Sequence, residues 1–287
     1  MVIVKFKGGI GNQLFQLAFG LRVSSLLNDR LYFDLSFISK QSAIFENRPF
    51  KLMKLDYERT TNTIIEKFIE EIKANTAIVV RDNVNFDHKT GLESLTSVYL
   101  DGYFQSEDHF KGVENQMIEC FGKLFQDYKK YNDNKVFQSI ILDEFSVAVH
   151  VRRGDFVKNP KTLEAHGICK LSYYKKSIKF ILDKFPAATF YFFSDDPEYC
   201  KRYFSNQSFS FVNVSEMPFE VKERDLFELY LMSKCRHFIL ANSTFSWWAS
   251  WLARNENQVV IAPKKWFNNI DMQNEYKSIY NDLWLRF

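Results

Sequence analysis

Two adjacent arginines and a histidine form the most distinctive group of polar side chains in the sequence. They stand in the run HVRRGDF (150–156), where a continuous apolar stretch ends. Strand alternation places His150 and Arg152 on one face and Arg153 on the other. Because a guanidinium fork matches the oxygens of phosphate or carboxylate, we expect Arg152 to contact a phosphate. Arg153 fits a phosphate contact and an ion pair with Asp155 that fixes the turn about equally well.

A pair of carboxylates follows a second apolar stretch, in the run FFSDDP (192–197). Asp195 and Asp196 could bind a metal beside a diphosphate, exchange protons, or accept hydrogen bonds. The N–H and amino group on the edge of a guanine suit a single carboxylate. For Asp196 the commoner role of its residue type is to cap a helix, and Pro197 suits the first turn of that helix.

Small hydroxyl residues follow a third apolar stretch, in the run ANSTFSWW (241–248). The N–H groups at the start of a helix, together with three hydroxyls, make a seat for an anion. An ordinary Ser/Thr cap with buried tryptophans uses the same groups, so both interpretations hold together. A fourth run, GGIGNQLFQ (8–16), is a glycine turn that matches neither a dinucleotide-binding nor a Walker loop, and Asn12 could cap its helix.

These runs lie at the ends of strands in an alternating pattern of strands and helices. Strands are predicted at 2–6, 31–34, 77–80 and 98–100, with helices from 14, over 62–73 and over 106–121. A loop or boundary is predicted between 126 and 135. The alternation restarts with a strand at 145–151, a loop to 167, a helix over 171–185 and a strand at 188–193. It continues with helices over 225–234 and 244–254 and strands at 238–240 and 259–261, which indicates two parallel-sheet domains.

The composition excludes several classes of protein. The 287 residues are 46% hydrophobic and 25% charged, which describes a folded protein large enough for two domains. A net charge of +3 does not indicate a nucleic-acid partner. The four cysteines lack metal-site spacing and are expected to be reduced thiols. The first residues are predicted to form a strand rather than a signal peptide, no apolar run is long enough for a transmembrane segment, and we expect a cytoplasmic protein.

Aromatic residues make up 17% of the chain, with 30 Phe, 14 Tyr and 5 Trp. Most are expected in the two cores, including residues 190–193. A minority in the first domain are candidates to stack on a sugar face: Tyr32, Phe33, Phe45, Phe50, Tyr103 and Phe104.

The four runs, taken in order, resemble the bacterial and animal α-1,2-fucosyltransferases, glycosyltransferase family 11. The resemblance covers roughly residues 3 to 253, and HVRRGDF is its most specific part. The family usually has Tyr where this chain has Phe156. The resemblance implies an α/β GT-B fold, in which two Rossmann-like domains, residues 1–144 and 145–287, face each other across a cleft. The first would lie on the acceptor side, with the last helix free to pack back on it, and the second would bind the GDP-sugar.

The implied reaction moves L-fucose with inversion from GDP-β-L-fucose to the 2-OH of a galactose-ended glycan, with no cofactor and no metal. By match to the family motif, Arg152 would hold the β-phosphate. His150 and either Asp195 or Asp196 would contact the guanosine, and Asn12 would reach across the cleft toward the phosphate or fucose. The whole set of expected donor-binding residues is Asn12, His150, Arg152, Arg153, Asp195, Asp196, Asn242, Ser243, Thr244, Phe245 and Ser246.

The catalytic pair expected from the resemblance is Arg152, which stabilises the leaving group, and Asp155, which takes the acceptor proton. Glu164 and His166 are the other candidates for the base. Alternatives to this function are a fucosyltransferase of another linkage, such as a protein O- or α-1,6-type enzyme, and a non-catalytic module that binds a nucleotide or glycan. The expected partners are GDP-fucose and a galactose-containing acceptor, with peripheral membrane contact if the acceptor is lipid-linked.

Overall fold

The computed structural model describes residues 1–41, 49–82, 95–131, 134–204, 209–212 and 224–287. Within these ranges the side chains of Lys40, Gln41, Lys129, Asp155 and Lys158 are left undescribed. The chain divides into two compact units, Met1–Leu124 and Phe125–Phe287. None of the described helices is long and apolar enough to cross a membrane.

The first unit is built on a parallel sheet whose five described strands run in the order β3-β2-β1-β5-β4. Its longest helix follows the glycine turn, and Asn28 ends that helix in the left-handed conformation. The elements in chain order are β1 (Val2–Lys5), α1 (Ile10–Leu27), β2 (Leu31–Asp34), α2 (Ser36–Gln41), β3 (Glu58–Arg59), α3 (Asn62–Lys73), β4 (Ala77–Val80), β5 (Ser97–Leu100), a 3₁₀ turn (Glu107–Phe110) and α4 (Glu114–Phe125).

The second unit is built on a parallel sheet whose six described strands run in the order β11-β10-β9-β6-β7-β8. Its elements after a 3₁₀ segment (Gln126–Tyr131) are α5 (Lys135–Ile141), β6 (Ser146–Val151), α6 (Gly154–Lys158), α7 (Pro160–His166), α8 (Leu171–Lys184), β7 (Thr189–Ser194), α9 (Pro197–Tyr203), β8 (Phe209–Phe211), α10 (Arg224–Met232), β9 (His237–Ile239), α11 (Thr244–Ala253), β10 (Val260–Ala262), α12 (Ile270–Glu275), a 3₁₀ turn (Lys277–Ile279) and β11 (Leu285–Arg286).

The prediction of two parallel-sheet α/β units is confirmed. The predicted division at residue 145 falls later than the division of the structure, because the segment before β6 packs on α10. The ring centroid of Tyr230 lies 5.1 Å from that of Phe125 and 5.5 Å from that of Phe137. Tyr128 makes a similar contact with Phe227. The end of the chain adds β11 to the second sheet. The cleft between the units stays a prediction.

The predicted loop between residues 152 and 167 is wrong, since it contains the two short helices α6 and α7. Asn159 starts α7, because its side chain accepts hydrogen bonds from the N–H groups of Lys161 and Thr162. Pro160 then takes the first helical position, where its missing N–H costs nothing. Pro160 therefore marks the start of a helix within the predicted loop.

The residues of β6 separate onto the two faces of the second sheet as predicted. Val147, Val149 and Val151 belong to one apolar cluster with Tyr173 and Tyr174 of α8. His150 lies on the other face, where its ring centroid is 5.5 Å from that of Phe245 at the start of α11. Alternation along one strand thus builds a core on one side and presents a polar residue on the other.

Candidate functional site

In the second sheet, successive strands are added on one side of β6 up to β8 and on its other side from β9, so the strand order reverses between β6 and β9. The HVRRGDF and ANSTFSWW motifs follow these two strands. The run from His150 to Gly154 leaves the carboxyl end of β6, and the run from Ala241 to Ser243 leaves the carboxyl end of β9. Ligands of open parallel sheets bind outside the carboxyl ends of the strands at such a reversal. The topology therefore brings the first and third motifs to one edge of the sheet.

The second motif joins the same edge through two ion pairs. Arg152 Nη1 lies 2.8 Å from Asp195 Oδ2, and Arg153 Nε lies 3.1 Å from Asp196 Oδ2. The other oxygen of Asp195 accepts a hydrogen bond from the backbone N–H of Arg153 at 2.8 Å. Ser194 fastens β7 to β6, because its hydroxyl donates to the carbonyl of Val151. Each arginine thus has an aspartate that fixes its direction.

Asp196 also caps a helix, as the sequence predicts. Its Oδ1 accepts a hydrogen bond from the N–H of Tyr199 at 3.0 Å and so starts α9. The ring of Tyr199 lies under the guanidinium of Arg153, 3.7 Å from its central carbon, which adds a cation–π contact. Arg153 therefore pairs with Asp196; the alternative pair with Asp155 involves a side chain outside the described ones.

Gly154 leaves room for the carboxylate that holds Arg152. A Cβ placed on Gly154 would lie 2.5 Å from Oδ2 of Asp195, closer than two such atoms can approach. Arg152 itself remains 30% exposed, and its guanidinium also lies over the ring of Phe156. The arginine is thus oriented and still accessible to a ligand.

His150 is a neutral imidazole at physiological pH. Burial lowers its pKa to about 3, and the nearby charge of Arg152 acts in the same direction. Nδ1 of this residue is buried and has no hydrogen-bond partner among the described residues. A buried nitrogen in this condition is a ready contact for a polar group of a ligand.

The residues around the start of α11 divide into a cap and a structural anchor. The hydroxyl of Ser243 accepts from the N–H of Phe245 at 3.4 Å, and the hydroxyl of the buried Ser246 donates to the carbonyl of Ser243. Thr244 and Phe245 are half-buried in the first turn. Ten residues long, α11 has the N-terminal N–H groups and dipole that favour an anion.

Asn242 is the structural anchor. Its amide Nδ2 donates to the carbonyls of His166 and Trp266, at 2.9 and 3.2 Å, and its Oδ1 accepts from the thiol of Cys169. These bonds tie the loop after β9 to the loop after α7 and to the loop after β10. The family resemblance implied that Asn242 contacts the diphosphate. The structure gives its side chain a connecting role, and a donor contact stays a prediction.

Glu228 is a member of this site that the sequence analysis missed. It lies half-buried on α10, and burial raises its pKa to about 8, with the carboxylates of Asp195 and Asp225 acting in the same direction and Arg152 against it. The sequence itself carries a signal for Glu228, because the other residues from Leu226 to Met232 are all hydrophobic, and the structure buries them all. An acid within so apolar a helix is unusual and needs a reason.

For two predicted residues no contact with this group is described. Asn12 belongs to the first unit, where its Oδ1 accepts from Nε2 of Gln105 at 2.9 Å. Asp155 lies on α6, and its side chain is among those left undescribed. Phe45, a candidate sugar platform, is outside the described residues, while Phe33 and Phe104 are core residues at 2% exposure. No group of three or more His, Cys, Asp or Glu side chains suited to a metal occurs in the described part of the chain.

The chain is similar to known proteins over most of its length. The model of glycosyl transferase family 11 matches residues 1–287. An α-1,2-colitosyltransferase of Escherichia coli is 30% identical over 95% of this chain and 94% of its own length. The O-antigen biosynthesis glycosyltransferase WbnK of the same species is 29% identical over 91% and 93%. A galactoside 2-α-L-fucosyltransferase of Caenorhabditis elegans is 23% identical over 90% and 71%.

A solved structure shares the fold. The fucosyltransferase NodZ from Bradyrhizobium superposes with a TM-score of 0.51 at 14% identity, over 88% of this chain and 92% of that one. The predicted GT-B-like pair of Rossmann-type units agrees with this likeness. The full-length family match and the colitosyltransferase relative lead to one conclusion: the chain belongs to glycosyl transferase family 11 and is a glycosyltransferase.

Proposed function

We propose that this protein is an inverting fucosyltransferase, which moves L-fucose from GDP-β-L-fucose to the 2-OH of a galactose-ended acceptor. The observation that carries the proposal is Arg152, oriented by Asp195 at 2.8 Å and still accessible where the second sheet reverses its order. The similarity to a galactoside 2-α-L-fucosyltransferase of Caenorhabditis elegans supports the linkage. The second unit is the donor-binding one in this proposal.

Arg152 stabilises the leaving group. When the bond between fucose C1 and the β-phosphate oxygen breaks, its electron pair stays on GDP, which gains one negative charge. A guanidinium directed at that oxygen lowers the barrier, because it is preorganised before the charge develops. Arg152 is held by a carboxylate in the free protein, so GDP-fucose replaces Asp195 as its partner or shares it.

The start of α11 supplies a second source of positive potential. Its first N–H groups and dipole, with the hydroxyls of Ser243 and Thr244, face an anion at the carboxyl edge of β9. Phe245 and Ser246 belong to the same turn, and Phe245 also contacts His150. The arginine and this helix together neutralise a diphosphate, so we propose that no metal is required and that added EDTA leaves the rate unchanged.

His150 contacts the guanosine in this proposal through its unpartnered Nδ1. Asp195 and Asp196 act chiefly by holding Arg152 and Arg153, since both oxygens of each carboxylate already accept a hydrogen bond or an ion pair. Asn12 completes the proposed donor contacts from the first unit.

Asp155 is the proposed catalytic base. The acceptor 2-oxygen forms a bond to C1 on the face opposite the leaving group, and its proton passes to the carboxylate. An unchanged rate in Asp155→Asn would remove this assignment. We further propose that the reaction takes place in the cytoplasm, on a lipid-linked or free glycan.

A second candidate is colitosyl transfer, favoured by the activity in the name of the 30%-identical relative. Colitose is the 3-deoxy analogue of L-fucose, so the same donor site would receive a sugar with one hydroxyl fewer. The two donors are distinguished by comparing kcat/KM for GDP-fucose and GDP-colitose with one acceptor.

The experiment that tests the proposal is a donor and acceptor panel. The protein is incubated with GDP-fucose and a set of galactosides, with and without EDTA, and both GDP release and product linkage by NMR are recorded. We expect an α-1,2-linked product in both conditions. An α-1,6-linked or peptide-linked product would replace the proposal by another linkage, and tight binding of GDP without turnover would replace it by a binding module.

A further inference from the structure

A group of charged side chains outside the site described above lies at the carboxyl edge of the first sheet. Nζ of Lys5 lies 3.0 Å from Oδ2 of Asp101, and Nζ of Lys7 lies 3.1 Å from Oδ1 of the same residue. The three side chains are 16–25% exposed, so they are neither free on the surface nor sealed in the core. One carboxylate thus holds two ammonium groups where a ligand can still reach them.

The position of this group coincides with the reversal of strand order in the first sheet. Lys5 ends β1, and Asp101 directly follows β5, the neighbour of β1 on the side opposite β2. This is the place at which open parallel sheets bind ligands. Partly exposed ion pairs contribute about 1 kcal/mol or less, so this group adds little to the stability of the fold.

The two loops that carry the group are held in place by hydrogen bonds from one buried and one half-buried polar side chain. Gln16 of α1 is fully buried; its Oε1 accepts from the N–H of Lys7 and its Nε2 donates to the carbonyl of Gly102, each at 3.1 Å. Oδ1 of Asp82 accepts from the N–H groups of Tyr103 and Phe104. Phe104 has a φ of +52°, a conformation that is strained for an aromatic residue and that clusters at functional sites.

The chemistry of the group favours hydroxyls over an anion. A phosphate would meet the carboxylate of Asp101 between the two ammonium groups. A hydroxyl both donates and accepts, so one of two neighbouring hydroxyls donates to Asp101 while the other accepts from a lysine. The half-buried ring of Tyr103 belongs to the same group, because its centroid lies 4.7 Å from Nζ of Lys7, and an aromatic ring is the kind of surface that packs on the apolar side of a sugar.

A neighbouring glutamine adds an unused polar atom. Gln105 is 8% exposed, and its Oε1 is buried without a hydrogen-bond partner among the residues that the structure describes. Its Nε2 donates to Asn12, the residue expected to reach toward the donor. The same edge of the sheet thus holds a buried acceptor that the protein itself does not satisfy.

We propose that Lys5, Lys7, Asp101 and Tyr103 form the acceptor subsite, which binds two neighbouring hydroxyls of the terminal sugar. This inference rests on the proposed function, because it takes the acceptor to be a galactoside. The subsite acts in binding, so its loss is felt in the KM for the acceptor and not in the handling of GDP-fucose.

The test compares Asp101→Asn with wild type and with Asp108→Asn, which removes the partner of Lys111 in an exposed ion pair of the same unit. We expect Asp101→Asn to raise the KM for lactose roughly tenfold or more, with little change in kcat or in the KM for GDP-fucose. Asp108→Asn is expected to match wild type. An increased KM for GDP-fucose, or an unchanged KM for lactose, overturns the proposal.

A second measurement does not depend on turnover. Saturation-transfer NMR of lactose, recorded without donor, is expected to give a signal with wild type that weakens in Asp101→Asn and in Lys7→Met. Equal signals in wild type and variants, or no signal from wild type, overturn the subsite. Hydrolysis of GDP-fucose without acceptor reports on the proposed donor separately. Lys7→Met keeps the test valid if Asp101→Asn fails to fold.

Discussion

The two sheets place charged residues at the same topological position but pair them differently. In the second sheet each arginine has its own aspartate, Arg152 with Asp195 and Arg153 with Asp196. In the first sheet Lys5 and Lys7 share Asp101. Forked guanidinium groups suit the several oxygens of a diphosphate, whereas ammonium groups around one carboxylate suit hydroxyls. In the function proposed above, the two sheets differ in their ligands because they differ in the type of cation and in the number of carboxylates that pair with it.

In each unit a glycine leaves space for the side chain of a predicted site residue. Gly154 leaves space for Asp195, and Gly8, with a φ of +78°, leaves space for Asn12, whose Nδ2 would lie 2.5 Å from an added Cβ. Both glycines follow the first strand of their sheet. The difference is that Gly154 has an ordinary backbone conformation, so only the side chain it accommodates explains why glycine stands there.

The largest expected effect is the loss of Arg152. Arg152→Ala should lower kcat with GDP-fucose on the order of 10²–10³-fold, because one preorganised group at the leaving oxygen disappears. Steady-state kinetics with a saturating galactoside measure the change. Arg202→Ala, which removes an exposed arginine from nearby α9, serves as the control and should keep the wild-type rate. Near-normal turnover of Arg152→Ala would show that the two sheets do not differ in the way proposed.

Much of this comparison could be predicted from the sequence. The HVRRGDF and FSDDP runs stand at the ends of predicted strands, and β6 and β7 are neighbours in the sheet with Val151 opposite Ser194. Strand alternation correctly separated His150 from the valines of the core. Local patterns suffice here because both motifs follow strands whose apolar character fixes their ends.

The partners of the arginines could not be predicted from the sequence, because they depend on the register between strands. Sequence proximity suggested Asp155 for Arg153, and the structure gives Asp196, 43 positions away. An acid in the apolar run of α10 stands out in the sequence, but its neighbours do not, since only folding brings Glu228 beside Asp195 and Arg152. The lysines of the first sheet carry no motif; Lys5 and Asp101 meet only because β1 and β5 are adjacent.

Gly154→Ala is expected to have the second-largest effect on catalysis. The added methyl group would displace Asp195 and misdirect Arg152, so kcat/KM for GDP-fucose should fall roughly 10- to 100-fold, as for a small misplacement of a catalytic group. Gly122→Ala is the matched control, because an added Cβ there meets open space on α4 and should leave activity unchanged. Equal activity of both variants would mean that Asp195 does not orient Arg152.

Asn242→Ala distinguishes a connecting role from a donor contact. The four hydrogen bonds of one buried amide would be lost, and the free energy of unfolding should fall by roughly 2–3 kcal/mol. Chemical denaturation measures this loss, and the KM for GDP-fucose at a temperature where the variant is folded should change little. A large rise in that KM with unchanged stability would assign Asn242 to the diphosphate instead.

Gly8→Ala tests the corresponding turn in the first unit. Left-handed backbone at a φ of +78° costs a residue with a Cβ about 1–2 kcal/mol, so the free energy of unfolding should fall by that amount. The displaced Asn12 should also weaken the binding of GDP-fucose, measured by calorimetric titration, if it reaches the donor as proposed. Lower stability with an unchanged affinity would confine the role of Asn12 to the first unit.

The smallest expected effect is a difference in how the two edges respond to pH. Burial raises the pKa of Glu228 from 4.5 to about 8, so between these values the folded protein binds more protons at this residue than the unfolded chain does. The contribution of Glu228 to stability is therefore fully present below pH 4.5 and is lost as the pH rises through about 8. At Asp101 burial tends to raise the pKa, but hydrogen bonds from Lys5 and Lys7 outweigh it, and the pKa is lowered. Its contribution is thus lost as the pH falls.

Melting temperatures measured from about pH 3 to about pH 9 check this difference. The melting temperature of Glu228→Gln should rise relative to that of wild type toward high pH, and that of Asp101→Asn should rise relative to wild type toward low pH. If the melting temperatures of the two variants changed with pH in parallel, Glu228 and Asp101 would not differ in charge state. The contrast between the arginines of the second sheet and the lysines of the first would then rest on geometry alone.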